Sequence, residues 1–368
     1  MHGIEQVAIV GVGLIGGSLG LALKQKKIGR RIVGIGQPET MRKAQSFGAI
    51  DEGVAYEKMQ QPLCESDLIF LCTPIEKIFS LLRDIGQIQS RLKRGVLITD
   101  VGSTKLQITE QANRHLTGYQ FIGGHPMTGS EKSGVSAADP YLFENAIYVL
   151  TPTPNTAPET TQVMTDIVQR IGGRTVIMDA ERHDFMVAGI SHLPQLMAVS
   201  LLNTVAKAAG EYPEIWQLAA GGFRDLTRIA SSPYGVWQQI ISSNSPSLSR
   251  FMDAFIEEFQ VVQGRLQSAQ LKEKFEQAAL TRSGISKNSK GFINPLHEIL
   301  VVVKDEPGVI ASISTTLYQA GININDIEVI KVREGEGGTL RLGFQGRKTA
   351  EEADQLLKKT GFQTHLRD

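Results

Sequence analysis

Residues Phe121 to Gly134 read FIGGHPMTGSEKSG and set one imidazole, His125, between two glycines and Pro126. Glycine lets backbone approach a ligand closely, and an X-Pro bond restricts the residue before it. An imidazole ionises near neutral pH, so a histidine aimed in this way suits general-base chemistry. Taken alone, the same segment fits equally well a tight turn with a hydrogen-bonded surface histidine.

The first thirty residues add a binding function. Gln6 to Val10 reads as a short apolar strand, Gly11, Gly13 and Gly16 follow in G-x-G-x-x-G spacing, and Gly17 to Leu23 has helical periodicity. A strand, a glycine turn and a helix N-terminus bring backbone N–H groups and a positive dipole end to a pyrophosphate. Leu14 and Ile15 in the turn, and Thr73 and Pro74 after the apolar run Leu68 to Cys72, join the glycines as cofactor-binding candidates. An acid normally ends the second strand of such a unit and holds the ribose of NAD. Here Arg31 to Gly36 (RIVGIG) runs into Gln37-Pro38, and the nearest acid is Glu39. Glu39 either reaches the ribose or sits in the first turn of the next helix. Arg42 and Lys43 could receive a 2′-phosphate, so NAD is the expected cofactor with NADP left open.

These residues need elements to carry them. Apolar strand-like runs alternate with helical stretches at Val7–Val10, Ile32–Ile35, Leu68–Cys72, Val96–Asp100, Gln120–Ile122 and Ala146–Leu150. The alternation predicts a doubly wound α/β domain with a parallel sheet over residues 1–179, including a helix from Glu159 to Ile171 and a strand near Thr175 to Met178. Residues 180–282 read as an all-helical substrate and dimerisation domain, broken at Tyr212-Pro213, Gly221-Gly222, Pro233 and Pro246. Residues 283–296 have the glycine, serine and lysine content of a linker. From 297 to 368 the pattern becomes β-α-β-β-α-β, a ferredoxin-like unit. Its Asp305-Glu-Pro-Gly308 turn and Gly321-Ile-Asn-Ile-Asn325 segment resemble ACT domains, regulatory modules that bind amino acids; a dimerisation unit without ligand is the alternative.

Composition excludes some classes. Lys+Arg and Asp+Glu are both 38 in 368 residues, so no net positive charge draws the chain to nucleic acid or an anionic membrane. No run of about eighteen apolar residues and no secretory leader stand out, and Cys64 and Cys72 are the two cysteines, which fits a cytoplasmic protein with reduced thiols. No metal-ligand spacing is visible among histidines and cysteines.

Taken together, Gly11 to Gly16, Asp100-Val-Gly-Ser-Thr-Lys105, Gly123-Gly-His-Pro-Met127 with Gly129-Ser-Glu-Lys132, Ser191-His-Leu-Pro194 and Gly222-Phe-Arg-Asp-Leu-Thr-Arg228 resemble the prephenate dehydrogenase family. The likeness spans essentially the whole chain, including the ACT-like end found in one branch. The missing acid after the second strand departs from the commonest pattern and bears on cofactor preference. The resemblance implies oxidative decarboxylation of prephenate to 4-hydroxyphenylpyruvate, with hydride passing to NAD, in a homodimer inhibited by L-tyrosine. It places His125 as base and Ser103 on the same hydroxyl or on the nicotinamide. Arg228, whose guanidinium offers a bidentate fork, would take the ring carboxylate, a surface salt bridge being the alternative. His192, otherwise a satisfied core histidine, would bind the side-chain carboxylate. Asp225, three residues before Arg228 on one helix face, would orient a neighbour. Glu131 would pair with a substrate-site arginine or be an exposed loop acid, and Trp237 would line the pocket or pack the core. Gly308 and Asn323 are the expected effector contacts. An arogenate dehydrogenase on the same scaffold, and a non-catalytic sensor of a dinucleotide and an amino acid, are the competing readings.

Overall fold

The computed structural model describes residues 3–118, 120–129, 132–284, 296–333 and 337–367, so Glu131 and most of the linker segment lie outside the described residues. The chain forms two compact units, Met1–Leu271 and Lys272–Asp368.

The first unit is built on eight strands: β1 (Gln6–Val10), β2 (Arg31–Gly36), β3 (Glu52–Ala55), β4 (Leu68–Leu71), β5 (Leu97–Asp100), β6 (Gln120–Pro126), β7 (Ile147–Pro152) and β8 (Arg174–Ile177). Their order is β3-β2-β1-β4-β5-β6-β7-β8. Every residue of β1 is buried because helices cover both faces. Side chains alternate across the sheet, so Val7 and Ile9 join one core with Leu19 and Leu23, and Ala8 and Val10 join another with Ile78 and Leu82.

Two features differ from the sequence reading. β3 (EGVA) has no apolar run and only intermediate burial, as suits an edge strand, so periodicity does not reveal it. The sheet is also not wholly parallel: β7 runs antiparallel to β6. A parallel partner needs a crossover, usually a helix, whereas the described part of this connection holds only one 3-10 turn, Val135–Ala137. The helix Pro158–Arg170 then restores a parallel step from β7 to β8.

The helical part begins at Asp179, whose side chain caps Ala180–Val187 by accepting from the Arg182 N–H at 2.8 Å. A π turn, Ala188–His192, links this helix to Leu193–Ala208. The segments join into a 29-residue helical run, Ala180–Ala208, that is long and apolar enough to cross a membrane by length and composition alone. The sequence reading missed this because polar residues, among them His183, Asp184, His192 and Gln195, interrupt the apolar stretch. Those four are buried, while Ile190 on the same run is 71% exposed. The break expected at Pro246 falls at Asn244, between the helices Tyr234–Ser243 and Ser245–Gly264, and Pro246 sits in the first turn of the second.

The second unit holds β9 (His297–Val303), β10 (Asp326–Arg333), β11 (Gly337–Phe344) and β12 (Gln363–Arg367), in the antiparallel order β10-β11-β9-β12. Helices Val309–Gln319 and Arg347–Lys359 supply Ile313, Leu317, Ala353 and Leu357 to its core.

Candidate active site

The glycine turn after β1 is sterically dictated. Gly11 has φ +93° and donates its N–H to the Ile35 carbonyl at 2.8 Å; a Cβ there would meet the Cys72 carbonyl oxygen at 2.6 Å. A Cβ on Gly16 would lie 2.1 Å from the Gly11 oxygen. These two glycines shape the turn. Gly13, with open space beside it, is the N-cap of the helix Leu14–Gln25, which has no side-chain cap. Unfilled backbone N–H groups at a helix start are what a pyrophosphate requires. Gly13, Leu14 and Ile15 line a cavity of about 930 Å³, and Thr73 and Pro74 line it from the end of β4.

Glu39 lies in the first turn of Pro38–Ser46 and pairs with Lys43 at 2.8 Å. The Lys43 ammonium holds its carboxyl below the usual value. Cys72 also faces the cavity, and burial pushes its thiol well up, which keeps it protonated and unreactive.

Ser103 lines the same cavity from the turn that follows β5. That turn is tied to β6 by a buried network. Asp100 accepts from the N–H groups of Gly102 (2.7 Å) and Gly124 (3.2 Å) and pairs with the Lys105 ammonium. Lys105 is fully buried and also donates to the Gly124 carbonyl at 2.7 Å. Burial pushes its ammonium below the usual value, and Asp100 opposes that push. Gly123 and Gly124 allow this close approach: a Cβ on Gly124 would sit 2.6 Å from the Asp100 carbonyl oxygen, and one on Gly123 2.2 Å from Thr151 Oγ1. His125 is therefore a strand residue opposite Val149, not part of a tight turn.

His125 is partly exposed as a residue and is not among the cavity-lining residues. It lies in sequence between two that are, Ser103 on the neighbouring strand end and Gly129 beyond β6. Its Nδ1 meets His183 Nε2 at 2.8 Å, and His183 Nδ1 meets Asp184 Oδ1 at 2.8 Å. Asp184 accepts the N–H groups of Lys105 (2.7 Å) and Leu106 (2.9 Å). Desolvation first, then the neighbouring His183, Lys105 and His192, holds the His125 pKa well below the ordinary value. The sequence reading missed His183 and Asp184 entirely. The signal was a run of titratable residues, Glu181 to Asp184, at the start of a helical stretch that turns apolar beyond it.

The helical segment closes the cavity with Arg228, Ser231, Trp237 and Gln239. Asp225 is exposed and does not line it. The helix Gly221–Thr227 ends before Arg228, which starts a 3-10 turn, so a shared α-helical face for the pair does not hold. Gln195 steadies that turn by donating to the Ile229 carbonyl at 3.0 Å. His192 is 2% exposed and stands edge-on to Trp237, ring centroids 6.0 Å apart. Asn244 donates to its Nδ1 at 3.3 Å, and burial lowers its pKa to about 4. Two contacts fasten the helical segment over the cavity: the Glu76 N–H donates to Gln239 at 3.2 Å, and the hydroxyls of Thr104 and Ser243 meet at 2.8 Å.

In the second unit a separate cavity of about 310 Å³ is lined by Asp305, Gly308, Ile310 and Leu340, among others. Gly308 belongs to it and Asn323 does not.

Comparison with known proteins matches residues 19–177 to the prephenate dehydrogenase nucleotide-binding domain, 179–278 to the prephenate dehydrogenase dimerization domain and 297–360 to the ACT domain. A prephenate dehydrogenase of Bacillus subtilis strain 168 is 35% identical over 99% of both chains. The crystal structure of the A. aeolicus prephenate dehydrogenase in complex with hydroxyphenyl propionate and NAD+ superposes with a TM-score of 0.71 at 28% identity, covering 77% of this chain and 99% of that one. Synechocystis arogenate dehydrogenase gives 0.66 at 30% identity, covering 76% and 99%. With its glycine turn, its buried histidine network and three family domains in order along one polypeptide, the chain belongs to the prephenate dehydrogenase family.

Proposed function

We propose that this enzyme converts prephenate and NAD to 4-hydroxyphenylpyruvate, CO2 and NADH, and that L-tyrosine inhibits it through the second unit. The observation that carries the reading is one cavity that runs from an uncapped helix start at Gly13 to Ser103 and on to Arg228. The turn from Gly11 to Gly16, with Thr73 and Pro74, would hold NAD, which supplies the hydride acceptor when bound. His125 takes the proton of the ring hydroxyl, and Ser103 positions that hydroxyl by a hydrogen bond. As hydride leaves C4, the ring loses CO2 and becomes aromatic, which makes the step irreversible. Arg228 grips a substrate carboxylate, Trp237 lines the wall beside it, and His192, which does not line the cavity, packs edge-on against Trp237.

The exposed apolar residues Ile190, Leu226, Val236 and Phe259 support a homodimer, and two unpaired cysteines support a reducing, cytoplasmic setting. The likeness to an arogenate dehydrogenase supports a second reading, in which an amine replaces the keto group of the substrate side chain. Absorbance of reduced cofactor, followed with prephenate or arogenate and with NAD or NADP, separates them. Prephenate with NAD should give the highest kcat/KM, and L-tyrosine should lower it. Preference for arogenate would replace the substrate, and no turnover with any pair would leave the sensor reading.

A further inference from the structure

We infer that His183 and Asp184 are positioning residues for the reaction: they fix the tautomer of His125 and take up the charge it gains. The inference rests on the reading of His125 as the base. Asp184 accepts two backbone N–H groups, from Lys105 and Leu106, at the start of the helix Leu106–His115, an environment that suits a carboxylate. Its Oδ1 can only accept from His183, so His183 Nδ1 carries a proton. In the neutral ring His183 Nε2 is then a lone-pair acceptor, and the atom facing it at 2.8 Å, His125 Nδ1, must be the donor. The remaining lone pair of His125 is on Nε2, the atom free to meet a substrate hydroxyl.

Proton balance follows directly. The substrate O–H bond breaks and an N–H bond forms at His125 Nε2, leaving an imidazolium with N–H on both nitrogens. That cation donates from Nδ1 to His183, and the polarised His183 donates in turn to the Asp184 carboxylate. A desolvated imidazolium standing alone would be costly; one linked through a second ring to a fixed carboxylate is not. The charged and titratable groups facing the two rings are Asp184 from the helix that carries His183, His192 from the π turn, and Lys105, itself paired with Asp100, from the turn after β5. Among the described residues Asp184 is the one carboxylate hydrogen-bonded to either ring. Its sequence neighbour His183 is 1% exposed, so bulk water does not substitute for it.

The test uses the full-length enzyme. Asp184→Asn keeps the shape and removes the charge; His183→Gln keeps an acceptor for His125 but cannot relay positive charge. Both should lower kcat by about tenfold or more with KM for substrate within about twofold, and both should move the acid limb of the kcat/KM profile to lower pH. A purely structural role would leave that limb in place, and an unmoved limb with unchanged kcat overturns the inference. Nitrogen-15 shifts of His125 in the unmodified protein give a reading independent of turnover and of folding of the variants. A proton on Nδ1 and none on Nε2 is expected, and the reverse tautomer contradicts the assignment. A protein that shows the expected tautomer yet oxidises neither prephenate nor arogenate would refute the proposed reaction and leave the pairing intact.

Discussion

His192 and His125 are both held neutral by their surroundings, and this has a cost at acid pH. An unfolded histidine titrates near 6.5, whereas folded His192 titrates at about 4. Between those values the unfolded chain binds the extra proton, so stability is full above pH 6.5 and falls as the pH drops toward 4. The loss from His192 alone is about 3 kcal/mol at 1.36 kcal/mol per pH unit. His125 adds to the loss in the same direction, since its folded pKa is also depressed. Thermal midpoints measured from pH 7.5 to 4 should fall most steeply below 6.5. The slope should be shallower in His192→Gln, and an unchanged slope would show that His192 is not the group responsible. The sequence made His125, Ser103 and Arg228 visible because glycine spacing and motif order mark them. It hid His183 and Asp184, because a helix that buries one face does not announce which polar residues meet a partner 58 positions away.

The strand ends β5 and β6 are the elements that align Ser103 and His125, and the Asp100–Lys105 pair ties them together. Lys105→Met would leave Asp100 buried without its counter-charge, at a cost of about 3 to 5 kcal/mol. Chemical denaturation should show that loss; a midpoint within error of the parent would mean that the pair is not holding the strands. Replacing both residues together, Asp100→Asn with Lys105→Gln, should recover much of the stability, since no lone charge remains. At this scale the central strands were legible because burial on both faces leaves unbroken apolar runs such as VAIV in β1 and LIFL in β4. β3 was not, because an edge strand of four half-buried residues carries no period. The reversal at β7 was missed for a different reason: direction depends on what the connection contains, and apolar runs do not encode it.

The whole molecule combines a catalytic unit with a second unit that has its own core and its own cavity. Effector control of the kind proposed requires the second unit to favour different states with and without ligand. Gly308 lines that cavity at φ +92°, so Gly308→Val both fills the space and strains the turn. It should weaken inhibition by L-tyrosine at least about tenfold, equivalent to about 1.4 kcal/mol of effector affinity, and leave uninhibited kcat unchanged. Inhibition at parental concentrations would move the effector elsewhere.

If His125 is the base of an NAD-dependent oxidation, chemistry depends on it and cofactor binding does not. The most direct measurement pairs steady-state kcat of His125→Ala with NAD affinity from a fluorescence titration. With His125 as the base, kcat falls by about 10²- to 10⁴-fold and NAD affinity is unchanged. A kcat within twofold of the parent at pH 7, with NAD still bound, would contradict it.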